Sequence, residues 1–490
     1  MNVGPFPPRS TQCDLDNSRA DMLRNLTLTS VLAVAAVIAL AAASPAEAAP
    51  ATGATPAPVY GGTDGKEAQA SGPAADSTQS AEQQARPGGR ADEWLERRRA
   101  KMQDLHANES DSMESGLNWL DDSHALQKLR VGWHGLHPVL GGFPSGSGQA
   151  LGIEWRKLGI GARYPDEHTP NRFDITATAA VTLRGYSLLK TELAMRNVGG
   201  SPLNFSVAGG HERNTQEDIY GLGMDTIAEN RTNYLAETGG AAGFVWWQFP
   251  DWLSVGAGAA WLQMNVAEGT DSRFPDTCTV APGVPGCDNQ PDYLTYEAFV
   301  EIDWRNPGNP YRGGFYAFRW TTWEDQDFDQ FSFNRFYVDL QQYLPFLKNK
   351  RVIALRARAE INDAKSGNVV PFYMLPSLGG NNDLRGFEYA RFTDLNSILF
   401  QAEYRVEVWR AMDVALFVDA GRVAADRDDL FEDLEVDYGF GFRMKTALST
   451  FMRADFAFGG EAFRFMITFD DVFADLPVVR RIAKVRRQDR

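Results

Sequence analysis

Few residues in this 490-residue sequence have the type and spacing that catalysis or metal binding requires. No histidine belongs to a nucleophile motif such as Gly-x-Ser-x-Gly, and the pair His134-x-x-His137 is too closely spaced for the i, i+4 zinc pair of a helix. His211 is the lone candidate for the Ser/His pair of a membrane phospholipase, and a structural histidine is the favoured interpretation. The six histidines are His106, His124, His134, His137, His168 and His211. We therefore predict no enzymatic activity, no catalytic residue, no metal site and no cofactor.

The N-terminal sequence predicts export from the cytoplasm. A basic start around Arg24 is followed by an uncharged stretch from Asn25 to Ala46, which ends in the small-residue cleavage site Ala-Glu-Ala. We predict a signal peptide over 1–48, with 1–21 as a possible upstream extension if the true start is Met22. A single transmembrane anchor is the alternative.

Two cysteines remain after removal of the predicted signal peptide. Cys278 and Cys287 lie in a segment rich in proline and glycine. In an oxidising compartment such a pair favours a disulfide that staples a loop, and a redox or metal site is the alternative.

Charge and hydropathy exclude several classes of protein. The 48 Lys and Arg against 64 Asp and Glu give a net charge of −16, which argues against a nucleic-acid partner because phosphate binding needs a basic face. The mean hydropathy of −0.34 is too low for a helical membrane protein. Three cysteines are too few for a fold built on disulfides.

The flanking segments have compositions that differ from the centre of the chain. We predict a disordered Ala/Pro/Gly-rich linker over 49–91, because it has few large apolar residues to bury. A short helical or irregular periplasmic segment follows over 92–128, with a helix at Asp92–His106. The basic tail over 474–490 is solvated or binds anionic lipid headgroups, and both interpretations remain open.

From about residue 129 the sequence alternates with a period of two. In Phe400–Trp409 the even positions are Phe, Ala, Tyr, Val and Val, whereas Gln401, Glu403, Arg405 and Glu407 share the other face. Strict alternation predicts strands with one apolar face, and strands of ten or more residues recurring about every twenty residues are typical of an outer-membrane barrel. We predict an all-β fold, a 16-stranded antiparallel transmembrane β-barrel over 129–473 with a lumen-folded loop, preceded by the disordered linker.

The approximate strand spans are 149–160, 172–183, 188–198, 203–214, 231–240, 241–249, 252–267, 293–306, 313–324, 331–345, 351–363, 396–410, 412–424, 434–447, 450–459 and 461–472. The division near Gly239-Gly240 has an alternative. If 231–249 is one strand, Arg130–Gly142 must supply the missing one. An even number of strands places both termini on the periplasmic side.

Aromatic residues stand near many predicted strand ends. Their rings combine an apolar body with a polar edge and favour the lipid headgroup region, so the pattern predicts an aromatic girdle. The residues concerned are Trp246, Trp247, Phe249, Trp252, Trp304, Trp320, Trp323 and Phe346.

The stretch from Gly379 to Phe387 resembles the inward-folding loop of the bacterial surface antigen family, which contains the BamA/TamA-type assembly barrels and the two-partner secretion transporters. It reads Gly-Gly-Asn-Asn-Asp-Leu-Arg-Gly-Phe, in which Arg385, Gly386 and Phe387 form the motif. The stretch Phe417-Val-Asp-Ala-Gly421 is similar to the family's Phe-x-Asp-x-Gly strand. The resemblance covers about 130–473.

The resemblance implies that the loop 365–395 folds into the lumen. By alternation Glu403 and Asp419 face the lumen on neighbouring strands, and the planar guanidinium of Arg385 can bond to both carboxylates. We predict that Arg385 pairs with Glu403 and Asp419 and so closes or gates the pore. An ordinary external loop with a solvated Arg385 is the alternative.

The assembly and secretion members of that family carry periplasmic POTRA domains. Residues 49–128 lack the apolar residues for such a core, so we predict a short member without POTRA domains. The expected function is accessory export or assembly of polypeptide or lipid at the bacterial outer membrane, and a passive porin-like or structural barrel is the alternative. We expect outer-membrane lipid and an exported polypeptide or lipid cargo as partners, no nucleic acid, and a monomeric protein.

Overall fold

The computed structural model describes residues 96–100, 134–139, 143, 146–160, 169–248, 252–306, 310–347, 350–409, 411–445, 450–461, 463–469 and 473. The chain forms two units, Met1–Met102 and Gln103–Arg490. In the first, residues 96–100 are helical and exposed. The predicted signal peptide (1–48), linker (49–91) and basic tail (474–490) lie outside the described residues. Within the described part of the chain, no helix has the length and apolar character needed to cross a membrane.

The second unit contains eighteen described strands. In chain order they are β1 (Leu136–Val139), β2 (Ala150–Lys157), β3 (Arg172–Thr182), β4 (Ser187–Arg196), β5 (Leu203–Ile219), β6 (Thr232–Gln248), β7 (Leu253–Glu268), β8 (Tyr293–Asp303), β9 (Gly313–Asp325), β10 (Phe333–Phe346), β11 (Arg351–Ala364), β12 (Ser377–Leu378), β13 (Phe392–Thr393), β14 (Asn396–Trp409), β15 (Met412–Ala424), β16 (Glu435–Lys445), β17 (Thr450–Phe458) and β18 (Phe463–Thr468). The described helices of this second unit are single turns at Val198–Gly200, Ala228–Asn230, Thr277–Val280, Phe372–Met374 and Asp428–Phe431.

Sixteen of these strands form one antiparallel sheet, which confirms the predicted fold class. Each strand pairs with the next along the chain, and β11 pairs with β14. The two-residue strands β12 and β13 pair with each other in the connection between β11 and β14. The described pairing leaves β1 and β18 at the two edges of the sheet.

The predicted division near Gly239-Gly240 is wrong, because β6 is one strand. Gly239 lies opposite His211 of β5 and Gly240 opposite Leu262 of β7, in ladders that continue on both sides. Glycine has the same backbone N–H and C=O groups as other residues, so the hydrogen-bonded ladder continues across Gly239 and Gly240. The two glycines interrupt only the alternation of side chains, because they have none. The sixteenth strand is β1, which lies within the alternative segment Arg130–Gly142.

The two faces of the sheet have the opposite character from those of a soluble protein. The buried face carries charged and polar side chains, whereas the other face exposes large apolar ones, and an exposed apolar face of this extent is stable against lipid. Examples on the buried face are Asp174, Lys190, Glu192, Glu297 and Arg319. Examples on the exposed face are Leu151, Leu189, Val207, Val245 and Leu416.

The sheet curls around the connection between β11 and β14. Arg391 of that connection donates to Thr226, in the loop after β5, and to Glu461, in the loop after β17. These strands are ten places apart in the sheet order, which corresponds to roughly 48 Å in a flat sheet at about 4.8 Å per strand. One side chain can reach both loops because the wall bends into a barrel, and its buried face lines the lumen.

The prediction of an aromatic girdle is partly wrong. Trp247, Trp252 and Trp320 are exposed as predicted, but Trp246 and Trp323 are each 2% exposed and belong to an apolar cluster on the inner face. Adjacent tryptophans on a strand point to opposite faces, so Trp246 and Trp247 cannot both face lipid.

The two ends of the barrel differ in the length of their connections. One end carries long loops such as 220–231, 269–292 and 365–395, whereas short turns such as 347–350 and 410–411 join strands at the other. In outer-membrane barrels the long loops are extracellular and the turns periplasmic.

Candidate functional site

The segment 365–395, here called the lumen segment, enters the barrel and packs against its inner wall. The turn between β12 and β13 carries Leu384, Arg385 and Phe387, with exposed fractions of 0, 0 and 2%. Gly379 and Gly380 follow β12 with φ of +116° and +104°. Side chains other than that of glycine rarely adopt these angles, so the entry into the turn depends on these two glycines.

Arg385 lies between two carboxylates of the wall. Its Nε and Nη2 donate to Asp419 Oδ2 and Oδ1 at 2.6 and 2.7 Å, and its Nη1 donates to Glu403 Oε1 at 2.5 Å. Glu403 is on β14 and Asp419 on the neighbouring β15. All three side chains are 0% exposed. The structure thus brings together the three residues for which pairing was predicted, and we call this arrangement the pin.

An aromatic ring covers the guanidinium of the pin. The Cζ of Arg385 lies 3.5 Å from the ring centroid of Phe417, which shares a face of β15 with Asp419 because it precedes it by two residues. Gly421, two residues further along, makes room for the lumen segment, since a Cβ there would lie 2.9 Å from Leu378 Cδ1. Each inward-facing position of the Phe-x-Asp-x-Gly stretch therefore faces the lumen segment.

Because its charges are buried, the pin is either fully formed or fully broken. Removing one member of a buried ion pair typically costs about 3–5 kcal/mol, because it leaves the partner charged and out of water. The planar guanidinium satisfies two carboxylates from one position of the turn, which an ammonium group cannot do with the same geometry. The turn is therefore held in one defined place.

Gly386 brings the backbone of the turn into contact with the wall. Its N–H donates to Asp437 Oδ2 at 2.9 Å. A Cβ on Gly386 would lie 2.6 Å from the Cβ of Asp437 and 2.7 Å from the Cα of Gly459. The motif needs glycine here because no side chain fits between the turn and these two residues.

The carboxylate of Glu403 also holds two arginines of the wall. Arg405 Nε donates to its Oε2 and Arg443 Nη2 to its Oε1, both at 2.8 Å. Arg443 in turn pairs with Asp455 of β17. Sequence reasoning did not identify Arg443 or Asp437. Alternation marks both as inward-facing, but it does not say which residues meet across strands.

Phe387 fixes the turn through apolar contacts. Its ring centroid lies 5.1 Å from that of Phe392. Arg464 of β18 donates to the backbone carbonyls of Phe387 and Arg385, the latter at 3.3 Å. Phe387 and Phe392 belong to an apolar cluster whose other members are Leu378, Leu384, Leu399 and Val423. The last strand therefore supports the motif that the lumen segment carries.

The first half of the lumen segment packs on another part of the wall. Phe372 is 2% exposed, and its ring centroid lies 4.9 Å from that of Tyr234 on β6. Ile219 and Val266 complete this apolar cluster. Since β6 and β14 are six places apart in the sheet, the lumen segment contacts well-separated parts of the barrel wall.

Cys278 and Cys287 form a disulfide, as predicted, in the loop between β7 and β8. The turn of helix Thr277–Val280 is capped by Asp276, whose Oδ2 accepts from the N–H of Thr279 at 2.8 Å. The Pro285 carbonyl in the same loop accepts from the N–H of Phe372 at 3.0 Å. The stapled loop thus contacts the lumen segment.

The residues considered for catalysis or metal binding lie elsewhere. His211 is on the exposed face of β5, and its Nε2 lies 3.2 Å from Glu237 Oε1. His137 is on β1, opposite Glu154 of β2. Among the described residues, no group of three or more His, Cys, Asp or Glu is arranged to hold a metal ion.

The family model of the Omp85 superfamily domain matches residues 254–468. This range includes the lumen segment, both carboxylates of the pin and the strands from β8 to β18, and it confirms the family resemblance that the motif predicted. Residues 254–468 thus match the Omp85 superfamily domain, and this match indicates a β-barrel of the bacterial outer membrane.

Solved structures of such barrels are similar to the chain at low sequence identity. One is the crystal structure of BamA from Haemophilus ducreyi lacking POTRA domains 1-3, with a TM-score of 0.49 and 12% identity over 72% of this chain and 77% of that chain. CdiB from Acinetobacter baumannii has a TM-score of 0.39 and 11% identity over 66% of this chain and 58% of its own, and CdiB from Escherichia coli has 0.45 and 10% over 69% and 61%. The chain thus spans less than two thirds of each CdiB chain. A comparison with curated proteins found no match.

Proposed function

We propose that this outer-membrane barrel passes or inserts an exported polypeptide or lipid, and that the lumen segment gates it. The observation that carries the proposal is the pin, in which Arg385 binds Glu403 and Asp419 with all three side chains removed from solvent. A segment held by buried charges has discrete held and released arrangements, because partial separation leaves charges uncompensated. A gate requires such a two-state element.

The chemistry of the lumen supports a polypeptide as cargo. An unfolded chain must keep its backbone groups hydrogen-bonded, and the inner wall offers charged and polar side chains rather than an apolar surface. Inward-facing examples from both halves of the sheet are Thr176, Thr178, Glu192, Glu297, Gln341, Arg356 and Gln401.

The edges of the sheet support a second route, through the wall. β1 has four described residues and β18 has six, whereas β5 and β6 have seventeen each. Short strands form few ladder hydrogen bonds, so the wall opens there at the lowest cost. An edge strand is also a template on which an extended cargo strand can add.

A passive porin-like or structural barrel is the second candidate. A porin has a water-filled channel, so a wide and constantly open lumen would be expected. The lumen segment instead occupies the interior and contacts β6, β14 and β15. This observation favours the gated barrel.

Conductance across a planar bilayer tests the gate. We expect the native protein to give small, flickering currents and Arg385→Ala to give larger and more persistent ones. Arg273→Ala is the matched control, because this arginine is in an exposed loop and pairs with Asp271 there. A stable, large conductance of the native protein that Arg385→Ala leaves unchanged would contradict the gate and support a porin.

Depletion of the protein tests the cargo. We expect the outer-membrane proteome to lose particular exported proteins after depletion, or the outer leaflet to change in lipid composition if lipid is the cargo. A porin predicts an unchanged proteome and lipid composition with altered uptake of small solutes.

A further inference from the structure

Phe473 lies inside the lumen, five positions beyond the end of β18 at Thr468. Its side chain is 4% exposed and packs with Tyr343, Val352 and Ala354. The ring centroids of Phe473 and Tyr343 are 6.1 Å apart. These partners belong to β10 and β11, which are six and five places from β18 in the sheet. Phe473 therefore contacts a part of the wall remote from the strand that it follows.

The groups around Phe473 match an aromatic residue within a peptide. Two guanidinium groups lie near the ring, with Arg356 Cζ at 5.8 Å and Arg405 Cζ at 5.5 Å from its centroid. The Nε2 of Gln341 donates to the backbone carbonyl of Phe473 at 2.9 Å. The wall thus contacts the ring by apolar packing and cation–π attraction, and the backbone by a side-chain amide.

Contacts that do not involve Phe473 hold these wall groups in place. Arg356 makes two hydrogen bonds of 3.0 Å to Asp339. The second oxygen of Asp339 also accepts from Gln341 Nε2 at 3.1 Å. Arg405 is bound to Glu403. Because these side chains are already positioned by the wall, they lose little conformational entropy when a ligand binds.

The same wall also connects Phe473 to the pin. Glu403 accepts from Arg385 with Oε1 and from Arg405 with Oε2, so one carboxylate separates the two arginines. Tyr343 and Val352 lie close to the short turn 347–350, whereas the lumen segment descends from the long-loop end. Glu403 is therefore the point where elements from the two ends of the barrel meet.

We infer that the wall around Phe473 is a binding site for an aromatic residue of an extended polypeptide, and that the chain's own Phe473 occupies it. Phe473 thus occupies lumen space near the short-turn end, whereas the lumen segment enters from the other end. The inference rests on the proposed function, because the displacing ligand is a cargo polypeptide with an aromatic residue.

Planar-bilayer conductance of the full-length protein tests the site. We expect Phe473→Ala to raise the conductance of the flickering open state, in which the pin is released, whereas Phe431→Ala, which removes an exposed phenylalanine of a long loop, should leave it unchanged. A synthetic peptide of residues 469–478, added on the short-turn side, should then lower the conductance of the Phe473→Ala protein. The same peptide with alanine in place of Phe473 should block at about tenfold higher concentration or more, because loss of the buried ring costs at least about 1.4 kcal/mol.

Equal conductance of the native and Phe473→Ala proteins would overturn the inference, as would equal block by the two peptides. If Phe473→Ala fails to insert into bilayers, Phe473→Leu keeps an apolar side chain but removes the ring, and its conductance should exceed that of the native protein. No increase for Phe473→Leu would then count against the site. If Arg385→Ala opens the barrel and the Phe473 variants do not, the inference fails while the proposed gate stands. If the Phe473 variants raise the conductance and Arg385→Ala does not, the proposed gate is wrong and the aromatic site stands.

Discussion

The two halves of the lumen segment are held by the barrel in different ways. The first half uses apolar packing, with Phe372 against Tyr234 and Met374 in the neighbouring cluster. The second half uses charge, with Arg385 bound to Glu403 and Asp419. Phe372 and Arg385 are both buried, so burial alone does not distinguish the two halves.

The difference lies in how each contact responds to displacement. Apolar contacts are non-directional and weaken in proportion to the area that is exposed. A buried ion pair depends on direction and distance, and its loss leaves charges without partners. We infer that the first half anchors the lumen segment and that the second half decides whether it is held or released.

Glu403→Ala should have the largest effect, because it leaves the guanidinium groups of Arg385, Arg405 and Arg443 without their shared carboxylate. We expect the free energy of unfolding to fall by about 4 kcal/mol, measured by urea unfolding in lipid vesicles with tryptophan fluorescence. Glu388→Ala is the control, since that side chain is 54% exposed and 3.7 Å from Arg464. Equal losses for the two variants would remove the distinction between the halves.

Phe372→Ala should cost about 3 kcal/mol in the same unfolding experiment, because it removes a buried ring and leaves a cavity. Its conductance should nevertheless stay near that of the native protein, since the pin is intact. A Phe372→Ala protein that conducts like Arg385→Ala would show that the first half also gates.

Gly386→Ala should cost about 2 kcal/mol, because its Cβ would overlap Asp437 and the backbone of Gly459 and push the turn from the wall. The conductance should rise together with the loss of stability. Gly283→Ala is the matched control, since nothing lies within 4 Å of a Cβ at that position. A Gly386→Ala protein as stable as the control would mean that the turn is not closely seated.

Arg273→Ala should have the smallest effect, because the Arg273 side chain is 64% exposed and solvent screens the pair. The hydrogen bond from Arg273 lowers the pKa of Asp271 to about 2. The pair's contribution, which solvent keeps too small to shift the unfolding midpoint, is at its full size above the ordinary carboxyl pKa of 3.8 and is lost as the pH falls toward 2. The unfolding midpoint of Arg273→Ala should match that of the native protein from pH 5 to pH 8. A measurable loss in that range would show that exposed pairs also hold the loops.

Alternation and motif reasoning predicted the sheet and the members of the pin, because both depend on local patterns. Inward-facing positions follow from a period of two, so Glu403, Phe417 and Asp419 could be assigned to the lumen from their own strands. The disulfide could also be predicted from the sequence, because both cysteines lie within one loop.

Contacts between distant parts of the chain could not be predicted in the same way. Asp437 meets Gly386 because β16 lies beside β15 in register, and alternation does not set the register. Trp246 was placed in the girdle because it lies near a strand end, although a strand sends it and Trp247 to opposite faces. Phe473 lies beyond the last strand, where the alternating pattern ends.

A double-mutant cycle on the pin tests the central claim most directly. Arg385→Ala, Asp419→Ala and the double variant would be compared with the native protein by urea unfolding in lipid vesicles. The account predicts that the double variant loses about 2–3 kcal/mol less than the sum of the single losses, because each single variant leaves the other charge buried without its partner. Losses that add to within about 0.5 kcal/mol would contradict it, since independent residues show such additivity.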